Sequence, residues 1–350
     1  DMDFAALAKA KKSPQRLLIG PWTHGALSRS FAGEAEFGPD STVSLNDISL
    51  RWFQHWLKGE GNGAEHDAPV RIFVMGGGDA HKTPEGRIFV GGHWRDEQSW
   101  PLQRVVATPY YLHANGLLSA QKPAAEKPTQ YQFDPQHPVP TIGGNISSEN
   151  APPSKHSSPE RPGDTANLME RGAWDQRCRQ QFWTCDNELP LSSRNDVLVF
   201  ETEPLKEDME VTGPLVVKLW ASSDAPDTDF TAKLIDVYPP NTDFAGGVAL
   251  NVGDSIVRAR YRNGVNKPPV LMTAGTVYPF TIQLYPTSLV FKKGHRIRVD
   301  ISSSNFPRFD VNPNTGESLN DNRRVRVATN TIYHDAQHPS QIVLPVIPMR

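Results

Sequence analysis

Proline is scattered along the whole chain, 31 times in 350 residues, nearly twice the ~5% share typical of globular proteins. Each proline lacks the N–H that a helix interior or a central strand needs, so regular elements must be short and turns frequent. An all-β body suits such a chain best. Length adds a second constraint. A chain of 350 residues exceeds what one hydrophobic core usually organises, so two structural units are expected.

The larger unit lies downstream. Strands are expected over 196–202, 209–220, 229–238, 248–259, 276–284, 295–303, 324–333 and 341–346. Turns at Gly213-Pro214, Asp224–Asp227, Pro239–Asp243 and Lys293-Gly294 separate them. Such spacing, joined by Gly, Pro, Asn and Asp, indicates a sandwich or jelly roll. Val70–Met75, Arg87–Val90 and Pro109–His113 also read as strands. Residues 121–165 are rich in Pro, Ser, Gly and Lys with little periodicity. They read as a long ordered wrap with a mobile centre near Ser147–Ser158.

The first hundred residues differ. Phe4–Lys12 reads as the end of a helix, its lysines suiting the negative end of the dipole. The apolar run Arg16–Gly20 reads as a buried parallel strand, and a helix followed by such a strand is an α/β pattern. A second helix is expected over 45–58, with Ser44 as N-cap, Asp47 in its first turn and Lys58-Gly59 at its close. Leu45, Ile48, Trp52 and Trp56 recur at helical spacing, and Phe53 and Leu57 widen the stripe. Buried at about 1.5–3 kcal/mol each, these side chains would make it an anchoring helix. His55 beside them is read as a packing residue. The expected division is therefore 1–100 for the α/β part and 101–350 for the sandwich.

The charge balance excludes some partners. A net charge of −3 with no long basic run argues against nucleic acid and anionic membranes, and no apolar stretch approaches the ~20 residues that span a bilayer. Cys178 and Cys185 are too few for a zinc site and read first as free thiols, with a local disulfide as the alternative. Ser302–Asn305 reads as hydrogen-bonding structure. The acids Asp224, Asp227 and Asp229 read as a solvated turn rather than a calcium loop. Arg258, Arg260 and Arg262 share a strand face and could pair with acids across the sandwich. His334-Asp335 with His338 reads as a polar turn rather than a metal site.

One stretch points to chemistry. Leu18-Ile19-Gly20-Pro21-Trp22-Thr23-His24-Gly25 sets His24 just beyond the carboxyl end of the parallel strand, where open α/β sheets carry their sites. Imidazole is a suitable general base there near neutral pH. Trp22 reads equally as the wall of a substrate pocket or as a core tryptophan.

Gly20–Gly25 does not stand alone. With it come Arg51-Trp52-Phe53-Gln54-His55-Trp56-Leu57-Lys58-Gly59, Ser222-Ser223-Asp224-Ala225-Pro226-Asp227-Thr228-Asp229-Phe230-Thr231-Ala232-Lys233-Leu234, Arg258-Ala259-Arg260-Tyr261-Arg262 and Ser302-Ser303-Ser304-Asn305-Phe306-Pro307. Trp174-Asp175-Gln176-Arg177 adds a weaker echo. In this order, over nearly the whole chain, they resemble the cocaine esterase-like hydrolases. This is the CocE/NonD group, relatives of X-Pro dipeptidyl peptidases and α-amino acid ester hydrolases.

The resemblance implies an α/β-hydrolase domain, of which this chain holds the C-terminal remnant, followed by an all-β jelly-roll sandwich of galactose-binding-like architecture. It also implies a triad in the chain order Ser, Asp, His, with His24 as the base. Yet these residues contain no Gly-x-Ser-x-Gly elbow. The implied nucleophile and acid fall upstream, on an N-terminal segment or a separate chain, with the oxyanion tyrosine and most of the acyl pocket. Any signal peptide would fall upstream too. Asp1 and Asp3 fall where a helix is implied, not on the loop that carries the acid.

The implied reaction is cleavage of a small-molecule ester, amide or short peptide through an acyl-serine, without metal or organic cofactor. Losing a triad serine or histidine costs on the order of a millionfold in turnover, so this chain by itself is expected to be inert. A homodimer contact through the sandwich is a further expectation. The rival readings are a peptidase removing X-Pro dipeptides and a non-catalytic β-sandwich binding module.

Overall fold

The computed structural model describes residues 2–10, 13–24, 26–145, 150–151, 166–167, 169–182, 184–318, 321 and 323–348. Asp1 and most of the expected mobile centre, 147–158, lie outside the described residues. The helices are α1 (Met2–Ala10) and α2 (Leu45–Lys58). The main strands of the first half are β1 (Leu17–Ile19), β2 (Val70–Met75), β3 (Gly92–Glu97), β4 (Val106–Leu112) and β5 (Thr129–Phe133). Those of the second are β6 (Leu198–Glu201), β7 (Met209–Ser223), β8 (Asp229–Tyr238), β9 (Val248–Arg258), β10 (Tyr278–Phe291), β11 (Arg296–Ser302), β12 (Ala328–Ile332) and β13 (Gln341–Ile347).

Two sheets enclose the main core. One has the order β6-β11-β8-β9, and the other runs β10-β7-β13-β4, with β12 pairing both β7 and β5. Alternation decides which side chains meet between them. Leu215, Val217 and Leu219 of β7 and Phe280, Ile282 and Leu284 of β10 point into the same core as Phe230, Ala232 and Leu234 of β8 and Ile297, Val299 and Ile301 of β11. Beyond β10 the second sheet continues through one parallel bridge, Met75↔Leu289, into β2, and β2 pairs in parallel with β1.

Two differences from the sequence reading follow from prolines and pairing. β10 runs to Phe291, past Pro286, because β10 itself bulges there: Tyr285 and Pro286 stand opposite the single residue Pro214, between the pairs Leu284↔Leu215 and Thr287↔Gly213, and a bulge relieves the ladder hydrogen bond that proline cannot make. The wrap 121–165 contains β5, which pairs with β12 along Thr129–Phe133 and buries Tyr131 and Phe133. Its alternation is too short to stand out among the flanking prolines.

The buried charges also differ from expectation. Asp227 and Asp229 are fully buried rather than in a solvated turn, whereas Asp224 is half exposed. Arg258 grips both oxygens of Asp229 at 3.0 Å, Arg260 Nε donates to Asp227 at 2.7 Å, and Asn312 Nδ2 bridges the two carboxylates. Arg258 and Arg260 thus pair with acids, but with Asp229 on the neighbouring strand and Asp227 just before it rather than across the sandwich. They do not share a strand face, since β9 ends at Arg258 and Arg260 lies in the turn that follows; Arg262 instead bonds backbone carbonyls. The cysteines are not free thiols: Cys178 and Cys185 form a disulfide, buried with Phe182 and Leu191 in a satellite core. Seven residues apart, they lie on one tight loop that brings them together.

Candidate functional site

β1 ends at Ile19, and the chain turns through Gly20-Pro21 to Trp22 and His24. Gly20 is required at that corner. A Cβ there would lie 2.4 Å from the Trp22 indole, which folds back over the strand end. Trp22 is fixed by Nε1 donating to the Ser41 carbonyl at 2.9 Å and by packing on Trp94, ring centroids 5.6 Å apart.

His24 lies exposed in the following turn, and Arg171 Nη1 donates to its backbone carbonyl at 3.1 Å. Among the described residues no carboxylate or hydroxyl hydrogen-bonds its imidazole. The sequence thus finds the strand-end position but not the Arg171 contact, which joins residues 147 apart.

Open space borders β1. A cavity of about 570 Å³ lies between its end and the sandwich, with Ile19, Trp22 and Phe73 on one side and Tyr238, Leu250 and Tyr285 on the other. Trp22, half-buried, packs on Trp94 and lines this cavity. His24 is not in that wall. A second space, about 1090 Å³, is bordered by Leu18, Ile48, Trp52 and Trp94. β1 itself is only half-buried, because among the described residues its one strand partner is β2. The expectation of a strand buried on both faces fails for that reason.

Helix α2 has the bounds and caps the sequence gives: Ser44 Oγ accepts from the Asp47 amide, and Gly59 closes the helix at φ 72°. Its anchoring role within this chain is not found. No residue of α2 is buried; Leu45, Leu50, Phe53 and Leu57 are each more than half exposed, and Trp56 is 40% exposed. The stripe is real, but among the described residues nothing covers it. His55 packs edge-on against Trp56 and bonds the Glu60 carbonyl.

The cavity's polar floor is built from buried groups. His295 Nδ1 donates to Asp236 Oδ1 at 2.9 Å, and burial pushes the Asp236 carboxyl above its ordinary value. Asp254 is held by Arg308 and by Asn305 Nδ2. The serines of Ser302–Asn305 are engaged in structural hydrogen bonds. Ser302 bonds Thr231, Ser303 bonds Tyr131 and Asn330, and Ser304 accepts from the Val139 amide. His334 is buried against the Leu112 carbonyl and Thr129, while Asp335 and His338 form a local turn.

Known proteins match this arrangement. Residues 62–343 match the X-Pro dipeptidyl-peptidase C-terminal non-catalytic domain, so His24 lies ahead of the matched region. A cocaine esterase of Rhodococcus sp. (strain MB1 Bresler) is 35% identical over 346 residues, 95% of this chain and 51% of the relative. An aminopeptidase from the marine sediment archaeon Thaumarchaeota archaeon superposes with TM-score 0.74 at 26% identity, over 98% of this chain and 51% of the other. An α-amino acid ester hydrolase superposes with TM-score 0.72 at 28% identity, over 98% of this chain and 52% of the other. The chain spans about half the length of the curated relatives it matches. It belongs to the CocE/NonD family of serine hydrolases, kin of the X-Pro dipeptidyl peptidases and α-amino acid ester hydrolases, and its larger part is their C-terminal domain.

Proposed function

We propose that this chain is the C-terminal part of a serine hydrolase that cleaves acyl esters or amides through an acyl-serine intermediate. His24 is its general base. It takes the serine proton during attack and returns it to the leaving group, and a partner carboxylate orients the imidazole. Serine and aspartate come from an N-terminal hydrolase segment. The 1–100 part contributes the last portion of the α/β-hydrolase domain, and 101–350 forms a jelly-roll, galactose-binding-like sandwich that walls the acyl pocket. The chemistry calls for no metal or organic cofactor, and the substrate is a small ester, amide or short peptide.

The observation that carries this reading is the bare apolar flank of α2. Leu45, Phe53 and Leu57 face solvent, and exposed apolar area of this kind marks a surface that is covered in the working assembly. Relatives of twice the length supply a segment to cover it. The one family match whose description names X-Pro dipeptidyl peptidase favours a second reading, a peptidase acting on Xaa-Pro substrates. A panel of p-nitrophenyl esters against Xaa-Pro anilides, run on this chain joined to an N-terminal segment, separates the two. Ester turnover that His24→Ala removes supports the first reading, and anilide turnover alone supports the second.

A further inference from the structure

We infer that the segment Arg171–Arg179, which belongs to the sandwich half, is a positioning strap for the His24 loop. In it Arg171 is a positioning residue and the Cys178–Cys185 disulfide is the clip. The inference rests on the reading of His24 as the base.

The strap zips onto the loop that follows His24. Arg171 Nη1 holds the His24 carbonyl at 3.1 Å. Two residues on, the Ala173 amide donates to the Ala32 carbonyl at 3.1 Å, and the Glu34 amide donates back to the Ala173 carbonyl at 2.7 Å. The Glu34 carboxylate then accepts from the Asp175 amide at 2.8 Å and from the Arg179 guanidinium. Backbone approach is so close at Gly172, φ 92°, that a Cβ would lie 2.3 Å from the Ala32 carbonyl carbon.

The far side of the strap is anchored twice. The Trp174 amide donates to Asn251 Oδ1 at 2.7 Å, and Gln176 and Ala249 pair as a short ladder. Cys178 and Cys185 close the loop that carries Arg179, with Phe182 packed on Trp174. The clip therefore limits where Arg179 can sit, and through Glu34 where the His24 loop can sit. A general base acts only within hydrogen-bond reach of the proton it takes, and small displacements reduce turnover strongly.

The activity test uses the active hydrolase, this chain together with its N-terminal segment. kcat and KM for a p-nitrophenyl ester are measured against pH in wild type, Arg171→Ala, Arg171→Lys and His24→Ala. Arg171→Ala is expected to lower kcat about fivefold, the equivalent of one hydrogen bond. KM should hold, the acid limb of the profile, which follows protonation of the base, should shift, and Arg171→Lys should recover part of the loss. An unchanged kcat and pH profile in Arg171→Ala, with His24→Ala inactive, overturns the inference. Activity surviving in His24→Ala overturns the reading of the base itself.

The clip is tested separately by hydrogen exchange on the 350-residue chain, with and without reductant. Faster exchange at the Glu34 and Ala173 amides on reduction is expected, and unchanged protection there overturns the role of the disulfide.

Discussion

Arg95 grips Glu210 with two hydrogen bonds, 2.8 and 2.6 Å, and so fastens β3, which pairs with β2 of the α/β part, to β7 of the sandwich. The same guanidinium donates to Glu97 at 2.6 Å, and Glu97 also receives Arg104. These four residues tie the β2–β3 pair to the sandwich. Bidentate geometry of this kind is the strong form of an ion pair.

Acid should loosen that joint first. Burial pushes the Glu97 and Glu210 carboxyls up, but the neighbouring arginines more than offset it and hold both below their ordinary value. The unfolded chain thus binds more protons below about pH 4.5, and stability is lost as pH falls through that window. Thermal melts between pH 3.5 and 6 should show the loss, and Glu210→Gln should flatten the slope. Arg95→Ala should cost about 2 kcal/mol, less than a fully buried pair because its side chain is partly exposed.

Asp229 should respond with the opposite sign. Burial, with the nearby Asp227 charge, pushes Asp229 up to about 6 against the pull of Arg258. The folded state then keeps a proton that the unfolded chain gives up, so this contribution declines as pH rises from the ordinary aspartate value through about 6. Carboxyl carbon shifts followed by NMR should place the Asp229 midpoint near that value. Arg258→Ala should cost about 3–5 kcal/mol, since it strands a buried acid.

Removing the disulfide should be felt locally and globally. Cys178 and Cys185 are separated by seven positions, and closing so short a loop is worth about 2.5 kcal/mol on the chain-entropy account. Thiol titration of the unfolded, unreduced chain should find no free sulfhydryl. Two titrating thiols would contradict the pairing.

The outward face of α2 should tolerate charge as long as the chain is alone. Phe53→Glu and Leu57→Glu alter exposed side chains and should shift stability by no more than about 0.5 kcal/mol. The same changes should abolish binding of an N-terminal hydrolase segment, measured by calorimetry or by a blue shift in the emission of Trp52 and Trp56.

How much of this was legible depended on where the interaction partner lay. α2 could be read to the residue, because its cap, stripe and closing glycine are local signals at fixed offsets. The direction its stripe faces could not be read, since that depends on what covers it. Strands β8, β9 and β13 followed from the spacing of the turns, whereas the expected strand 276–284 stops short of Pro286, whose place in β10 depends on pairing with β7 about seventy residues away. His24 was marked by the strand that ends before it. Arg171 and Glu34 were not, because their partners are brought together by the fold and not by spacing along the chain; the disulfide, a local pairing over seven positions, was open as the alternative to free thiols.

The central claim is that His24 serves a nucleophile carried by another segment, and fluorophosphonate labelling of the reconstituted hydrolase followed by a denaturing gel tests it most directly. The account predicts a label on the N-terminal segment, none on this chain, and loss of labelling in His24→Ala. A label on this chain itself, or full labelling without His24, would contradict it.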